Sequence, residues 1–152
     1  MRFEYEEALF RLELLAGEKL PEIAYDMLDA GYDTQPIREL AGLTRPTRRD
    51  AGPLFEEALE AVRPQPMSVE RAREVVRDRL LDDIATGSLE PMAGAAMLNH
   101  QWNDLGCPAD LSVFIYLTDI ADDYPERRSE AAAEIVQLAR TLVHARINVQ
   151  SA

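Results

Sequence analysis

Apolar residues recur every three to four positions along most of the chain, and prolines and glycines separate the resulting stripes. This spacing places apolar side chains on one face of an α-helix, and Pro and Gly are typical of helix starts and stops. In the first half the pattern predicts helices over 3–16, 21–30 and 34–42. Thr44 is suited to cap a fourth helix. Pro53 then interrupts the pattern, so either this helix kinks or a turn precedes a helix over 53–62.

The second half shows the same helical spacing, with stronger apolar stripes. It predicts helices over 69–86, 91–106 and 111–121, and a last helix from 125 to beyond 142. Ser68 and Asp110 are suited to cap the first and third of these. The run Val113–Leu117 has a β-type composition, but the flanking cap and the length of the window favour a buried helix. The predicted fold is therefore all-α, an irregular bundle of seven or eight helices.

The length of 152 residues is typical of one compact domain, so we expect residues 1–152 to form a single helical domain. Residues 63–66, Arg-Pro-Gln-Pro, cannot continue a helix. They are too short for a flexible linker. We expect them to form a Pro-rich turn between two helical halves, 1–63 and 67–152.

The net charge of −12 indicates which class of partner the protein would bind. Residues 1–66 and 67–152 each carry eight Arg or Lys against fourteen Asp or Glu, so no basic region is hidden within either half. Such a charge repels nucleic acid and anionic membranes and attracts basic proteins. The alternative interpretation is that the charge only keeps the protein soluble.

The location in the cell is predicted from three features of the sequence. Cys107 is the single cysteine, the start MRFEYEEALF lacks the apolar core of a secretion signal, and no stretch has the roughly 20 apolar residues of a membrane span. These features predict a cytoplasmic protein.

The densest acidic cluster lies before the last predicted helix and contains Asp119, Asp122, Asp123 and Glu126. It lacks the alternation and central glycine of a calcium loop, so we expect no metal there. A basic surface of a partner protein is the ligand that this cluster favours, with Tyr124 as an aromatic anchor. A structural alternative is that Asp122 and Asp123 lie near the start of the last helix, where negative charge favours the helix dipole.

Catalytic patterns are missing from the sequence. There is no phosphate loop, no GxGxxG and no nucleophile elbow. His100 and Asp104 are four positions apart and would share one helix face, but a metal site needs three or four ligands. Cys107 precedes a proline and has no local histidine. We therefore predict a non-enzymatic protein without catalytic, cofactor or metal-binding residues.

Residues 28–34, LDAGYDT, followed by residues 37–47, IRELAGLTRPT, resemble a resolvase-type helix-turn-helix over 28–49. The shared features are the glycine turn, the IxxLxGL helix and a threonine that opens the next helix. This resemblance implies that Arg45, Thr47, Arg48 and Arg49 would face DNA.

A second resemblance spans most of the chain. The pattern LDAGYDTQPIRELAGL, followed by GSLEPMAGA and LGCPADLSVFIYLTDIADDYPERRSE, is similar to small helical bacterial proteins of unassigned activity. Some acidic helical proteins of this size are immunity proteins that block a toxin. The leading hypothesis is therefore an acidic protein-binding module, in its sharpest version immunity- or antitoxin-like, that binds a basic partner through Asp119, Asp122, Asp123, Tyr124 and Glu126. The alternative is a DNA-binding regulator that uses residues 21–50.

Overall fold

The computed structural model describes residues 3–63 and 65–150, and within them it contains helices and turns but no strand. The α-helices are α1 (Glu4–Arg11), α2 (Leu20–Asp29), α3 (Gln35–Ala41), α4 (Arg48–Val62), α5 (Val69–Thr86), α6 (Pro91–His100), α7 (Ser112–Asp123) and α8 (Arg128–Gln150). This confirms the prediction of an all-α fold with seven or eight helices. None of these helices combines the length and the apolar character needed to cross a bilayer.

The chain forms two compact units, Met1–Ala72 and Arg73–Ala152, which we call unit 1 and unit 2. Their boundary falls inside α5, so the first turn of that helix belongs to unit 1. Pro64 of the predicted Pro-rich turn lies outside the described residues. The single domain and its division into halves 1–63 and 67–152 stay predictions.

Unit 1 is built around α3, which packs against both α2 and α4, while α2 also contacts α4. Phe10 of α1 meets Phe55 of α4 edge to face, with their ring centroids 4.9 Å apart. The side chains that are buried almost completely at this core are Leu20, Met27, Ile37, Leu40 and Phe55. In α2 the buried residues Leu20, Ile23, Ala24 and Met27 are three or four positions apart, which is the apolar stripe typical of a helix.

Helix α1 ends at Arg11 rather than at residue 16, because the chain turns at Glu13, whose φ is +60°. Leu12 and Leu15 remain buried in this turn, so their apolar spacing did not require a helix. Gly17 follows and lies against the start of α4. A Cβ there would be 2.2 Å from the Arg48 backbone nitrogen, so this position needs a residue without a side chain.

Helix α4 begins at Arg48, and its cap is Thr47 rather than the predicted Thr44. The Thr47 hydroxyl accepts a hydrogen bond from the Asp50 amide, and the Asp50 carboxylate accepts one from the Thr47 amide, which is a capping box. Pro53 lies inside α4. The helix therefore continues through the proline, and no separate helix begins at residue 53.

In unit 2, α6, α7 and α8 all contact one another. Helix α5 approaches α6 at Gly94, where a Cβ would lie 2.5 Å from the Ile84 Cγ1 atom. The largest side chains that are fully or almost fully buried in this unit are Val76, Ile84, Leu98, Leu111, Phe114 and Ile135. Val113–Leu117 is helical, as predicted, with Phe114 and Leu117 buried and Val113 and Tyr116 exposed.

Three boundaries in unit 2 differ from those predicted. Helix α6 ends at His100, and turns continue to Gly106, which has a φ of +82°. A 3₁₀ turn, Ala109–Leu111, precedes α7, so Asp110 is not its cap. A second 3₁₀ turn, Pro125–Arg127, separates α7 from α8. The two 3₁₀ turns begin directly after Pro108 and at Pro125, and a proline disfavours a helical conformation in the residue before it.

Candidate functional site

The predicted partner-binding residues lie together along the end of α7. Asp119 lies in its last two turns, Asp122 and Asp123 are its final residues, Tyr124 follows directly, and Glu126 lies in the next 3₁₀ turn. All five residues are exposed, and Tyr124 retains 53 % of its accessible surface. We call these five residues the α7 acidic surface.

The exposed face of α7 continues this surface with apolar and aromatic side chains. Val113 and Tyr116 lie about two turns and one turn before Asp119, respectively, and retain 45 % and 63 % of their accessible surface. The opposite face, with Phe114, Leu117 and Ala121, is buried against unit 2. One side of α7 therefore holds the core, and the other presents aromatic rings next to carboxylates.

The four carboxylates of the α7 acidic surface form no hydrogen bond or ion pair with any other described side chain. Nearby carboxylates behave differently. Glu130 accepts a hydrogen bond from Arg127 at 3.1 Å and thereby raises the pKa of that guanidinium above its usual value. Asp82 forms an ion pair with Arg146, in which Asp82 Oδ1 lies 3.0 Å from Arg146 Nη2. The described part of unit 2 thus pairs some of its carboxylates with arginines, whereas those of the α7 acidic surface form no ion pair, although Arg128 lines the same groove as Asp122.

The expected structural reason for Asp122 and Asp123 is wrong. They do not lie at the start of the last helix, since α8 begins at Arg128 and both residues belong to the C-terminal turn of α7. The carbonyl end of a helix is partially negative, so these two carboxylates oppose the dipole instead of favouring it. A favourable interaction with the dipole of α7 therefore does not account for them.

Two grooves flank α7 in unit 2. The α6–α7 groove has a volume of about 240 Å³, and the α7–α8 groove has a volume of about 170 Å³. Asp122 of the α7 acidic surface lines the first groove, and Tyr116 lines the second. The end of α7 is thus a ridge between two side-chain-sized depressions.

The residues considered for catalysis or metal binding do not converge. His100 ends α6 and Asp104 lies in the turns that follow, so the two do not share a helix face. Both are exposed. Cys107 is exposed as well, and its thiol contacts Asn103 Oδ1 at 3.5 Å. Among residues 3–63 and 65–150, no group of three His, Cys, Asp or Glu side chains is arranged to hold a metal ion.

The residues that the helix-turn-helix resemblance directs toward DNA have different surroundings in unit 1. The Arg48 guanidinium lies 4.2 Å from the centre of the Phe10 ring and donates hydrogen bonds to the carbonyl oxygens of Phe10 and Leu15. Thr47 forms the capping box of α4. Arg45 and Arg49 are exposed and have no ion pair within the described chain.

One ionic cluster was missed by sequence reasoning. The Glu7 carboxylate is buried and accepts hydrogen bonds from the Met67 amide at 2.7 Å and from Arg63 Nη1 at 3.3 Å. Arg11 Nε lies 3.7 Å from the same carboxylate. We call these groups the Glu7 cluster. Its one sequence signal is the position of Glu7, three residues before Phe10, on the buried face of α1.

The geometry therefore separates a structural ionic cluster in unit 1 from an unpaired acidic surface in unit 2.

Compared with known proteins, the chain matches no family model, no curated protein and no solved structure.

Proposed function

We propose that this chain is a non-enzymatic protein-binding module that uses the α7 acidic surface to bind a basic surface of another protein. The observation that carries the proposal is the exposure of Asp119, Asp122, Asp123 and Glu126 without an ion pair in the described chain. Unpaired, exposed carboxylates attract a cationic partner and do not first have to break an internal ion pair.

Exposed tyrosines supply the second part of such an interface. Tyr and Trp are enriched at binding hot spots because a large, rigid ring buries apolar area at a low cost in conformational entropy. Tyr116 and Tyr124 are exposed on either side of Asp119 along the chain. Carboxylates would steer the partner to this face, and the two rings would hold it there.

The sharpest version of this proposal is an immunity- or antitoxin-like protein in the cytoplasm. The net charge of −12 supports it, since long-range attraction speeds the capture of a basic target. A protein that neutralises a toxin benefits from fast association more than from chemistry of its own. The partner of this version is a basic toxin whose active face the α7 acidic surface covers.

The test compares partner capture by the wild-type chain with capture by a variant in which Asp119, Asp122 and Asp123 become Asn and Glu126 becomes Gln. We expect the variant to lose the captured basic protein. For the purified pair, the wild-type association rate should fall by about tenfold or more between 0.1 and 1 M salt, over which the Debye length shrinks from about 10 to 3 Å.

The matched control neutralises four exposed carboxylates of unit 1 instead, through Asp26→Asn, Asp29→Asn, Glu57→Gln and Glu60→Gln. Both variants have the same net charge. If the control weakens association as much as the α7 variant does, the overall field and not this surface attracts the partner. An association rate that does not respond to salt would contradict electrostatic steering altogether.

A second candidate function is DNA binding through residues 21–50. The favouring observation is that α3 and α4 pack against each other across the turn that carries Arg45, with Arg49 exposed in the first turn of α4. A gel shift with genomic fragments at low salt tests it. Arg45→Ala combined with Arg49→Ala should abolish the shift, whereas no shift by the wild-type chain would remove this candidate.

A further inference from the structure

We infer that the partner presents two basic side chains, one for each groove beside α7, at a spacing that matches the width of this helix. The inference rests on the proposed function and deepens it, because it specifies how many basic side chains the surface binds and at what spacing. Its basis is the shape and the charge of the two grooves, in addition to the exposed carboxylates between them.

The α6–α7 groove combines an apolar wall with an unpaired acceptor. Met92, Ala93 and Ala96 of α6 form the wall, and Asp122 of α7 supplies the carboxylate. Glu90 also lines the groove, but its carboxylate accepts a hydrogen bond from the Ala93 amide and caps α6. Arg128 lines the groove as well but forms no ion pair with Asp122. Asp122 therefore remains the carboxylate that an incoming cation can pair with.

The α7–α8 groove repeats this combination on the other side of the ridge. Leu117 and Ile120 of α7 line it together with Glu130 and Glu134 of α8. Arg127 lines it too and is hydrogen-bonded to Glu130. Glu134 thus remains without a hydrogen bond or an ion pair among the described side chains, as Asp122 does in the first groove.

Each groove is lined by two carboxylates and one arginine, so each has an excess of one negative charge. Lys and Arg side chains pack their aliphatic stems on apolar surface while the charged head reaches a polar group. The volumes of about 170 and 240 Å³ fit one long side chain and lie below the roughly 300 Å³ at which small-molecule pockets begin.

The width of α7 sets the spacing of the two cations. A helix with its side chains is about 10–12 Å wide, so the two grooves lie about that far apart across the ridge. In a partner helix, positions i and i+7 are on one face and are separated by about 10 Å. A helix that crosses α7 with basic residues at i and i+7 would therefore place one in each groove.

The experiment uses two stapled, Ala-rich helical peptides with the same composition. The first has Arg at i and i+7, and the second has Arg at i and i+2, which lie on opposite faces. Binding to the full chain is measured by fluorescence anisotropy at low salt. We expect the first peptide to bind about tenfold more tightly, since two charge-assisted hydrogen bonds form only with the matched spacing.

Groove variants make the test specific. Asp122→Asn and Glu134→Gln should each reduce the preference for the i, i+7 peptide, and the double variant should abolish it. Ala96→Met fills the α6–α7 groove without a change in charge and should weaken the same peptide. Ala133→Met, at an exposed position of α8 that lines neither groove, is the control and should leave both affinities unchanged.

Equal affinity for the two Arg peptides would overturn the groove inference while leaving a basic partner of the α7 acidic surface in place. Tighter binding of a peptide with Glu at i and i+7 would also overturn it, because Arg128 would then be selecting an anion. A failure of the proposed function is recognised separately, by partner association that is indifferent to the four-carboxylate variant.

Discussion

The Glu7 cluster of unit 1 and the α7 acidic surface of unit 2 place carboxylates in opposite environments. Glu7 is 2 % exposed and is surrounded by the Met67 amide and the guanidinium groups of Arg11 and Arg63. The carboxylates of the α7 acidic surface are exposed and form no hydrogen bond or ion pair with any side chain of the described residues. The hydrogen-bond donors around a carboxylate thus determine whether it stabilises the fold or remains available for binding.

Net charge does not distinguish the two regions. Unit 1 has nine Arg or Lys and fifteen Asp or Glu, and unit 2 has seven and thirteen, so each carries −6. What differs is where the arginines lie. In unit 1, Arg48 and Arg63 bond to the interior of their own unit. At the end of α7, no arginine of the described residues pairs with the carboxylates, although their position opposes the helix dipole.

The largest effect is expected for Glu7→Ala. This change leaves the Met67 amide and two partly buried guanidinium groups without their acceptor, so the free energy of unfolding should fall by about 2–3 kcal/mol. Urea denaturation of the full chain, followed by circular dichroism, measures this loss. Asp119→Ala is the matched control and should change stability by less than about 0.5 kcal/mol. Equal losses for the two variants would contradict the claim that Glu7 stabilises the fold and Asp119 does not.

A smaller effect of opposite sign is expected at the α7 acidic surface. Asp122→Asn and Asp123→Asn remove negative charge from the C-terminal turn of α7 and should together raise the free energy of unfolding by about 0.5–1 kcal/mol. The same two substitutions should weaken binding of the basic partner, so that stability would increase while function decreases. Thermal unfolding and partner affinity are measured side by side. A stability loss would mean that these carboxylates support the fold.

The smallest effect concerns Asp50, an exposed aspartate that does have a partner. Hydrogen bonds from the Thr47 hydroxyl and the Thr47 amide lower the pKa of Asp50 below its ordinary value. A lowered carboxyl pKa favours folding at higher pH, and this contribution disappears as the pH falls through the folded-state pKa. Thr47→Ala should therefore raise the pKa of Asp50 and destabilise the chain less at acidic than at neutral pH.

NMR titration of the Asp50 carboxyl in the wild-type chain and in Thr47→Ala checks this prediction. The carboxyls of Asp122 and Asp123 serve as references in the same spectra, since Thr47 does not bond to them. An unchanged titration of Asp50 would show that the capping box does not set its pKa.

The helical character of the chain was predictable because apolar spacing and Pro/Gly punctuation report local geometry. The predictions of α2 and α5 were accurate to within one residue at each end. The end of α1 was not predictable, since Leu12 and Leu15 are buried by a turn that has the same apolar spacing as a helix. The cap of α4 was misplaced because Thr44 and Thr47 have the same side chain, and only the carboxylate of Asp50 distinguishes them.

The amino-acid sequence is sufficient to show that the chain is all-helical and acidic and that a dense group of carboxylates lies at Asp119–Glu126. The acidity follows from composition, and the other two properties depend on residues close together along the chain. The burial of Glu7 between Arg63 and Met67, and the grooves that flank α7, are visible in the folded structure alone. Such features join side chains from elements far apart in sequence, and their energies depend on burial and on distance, which local patterns do not specify.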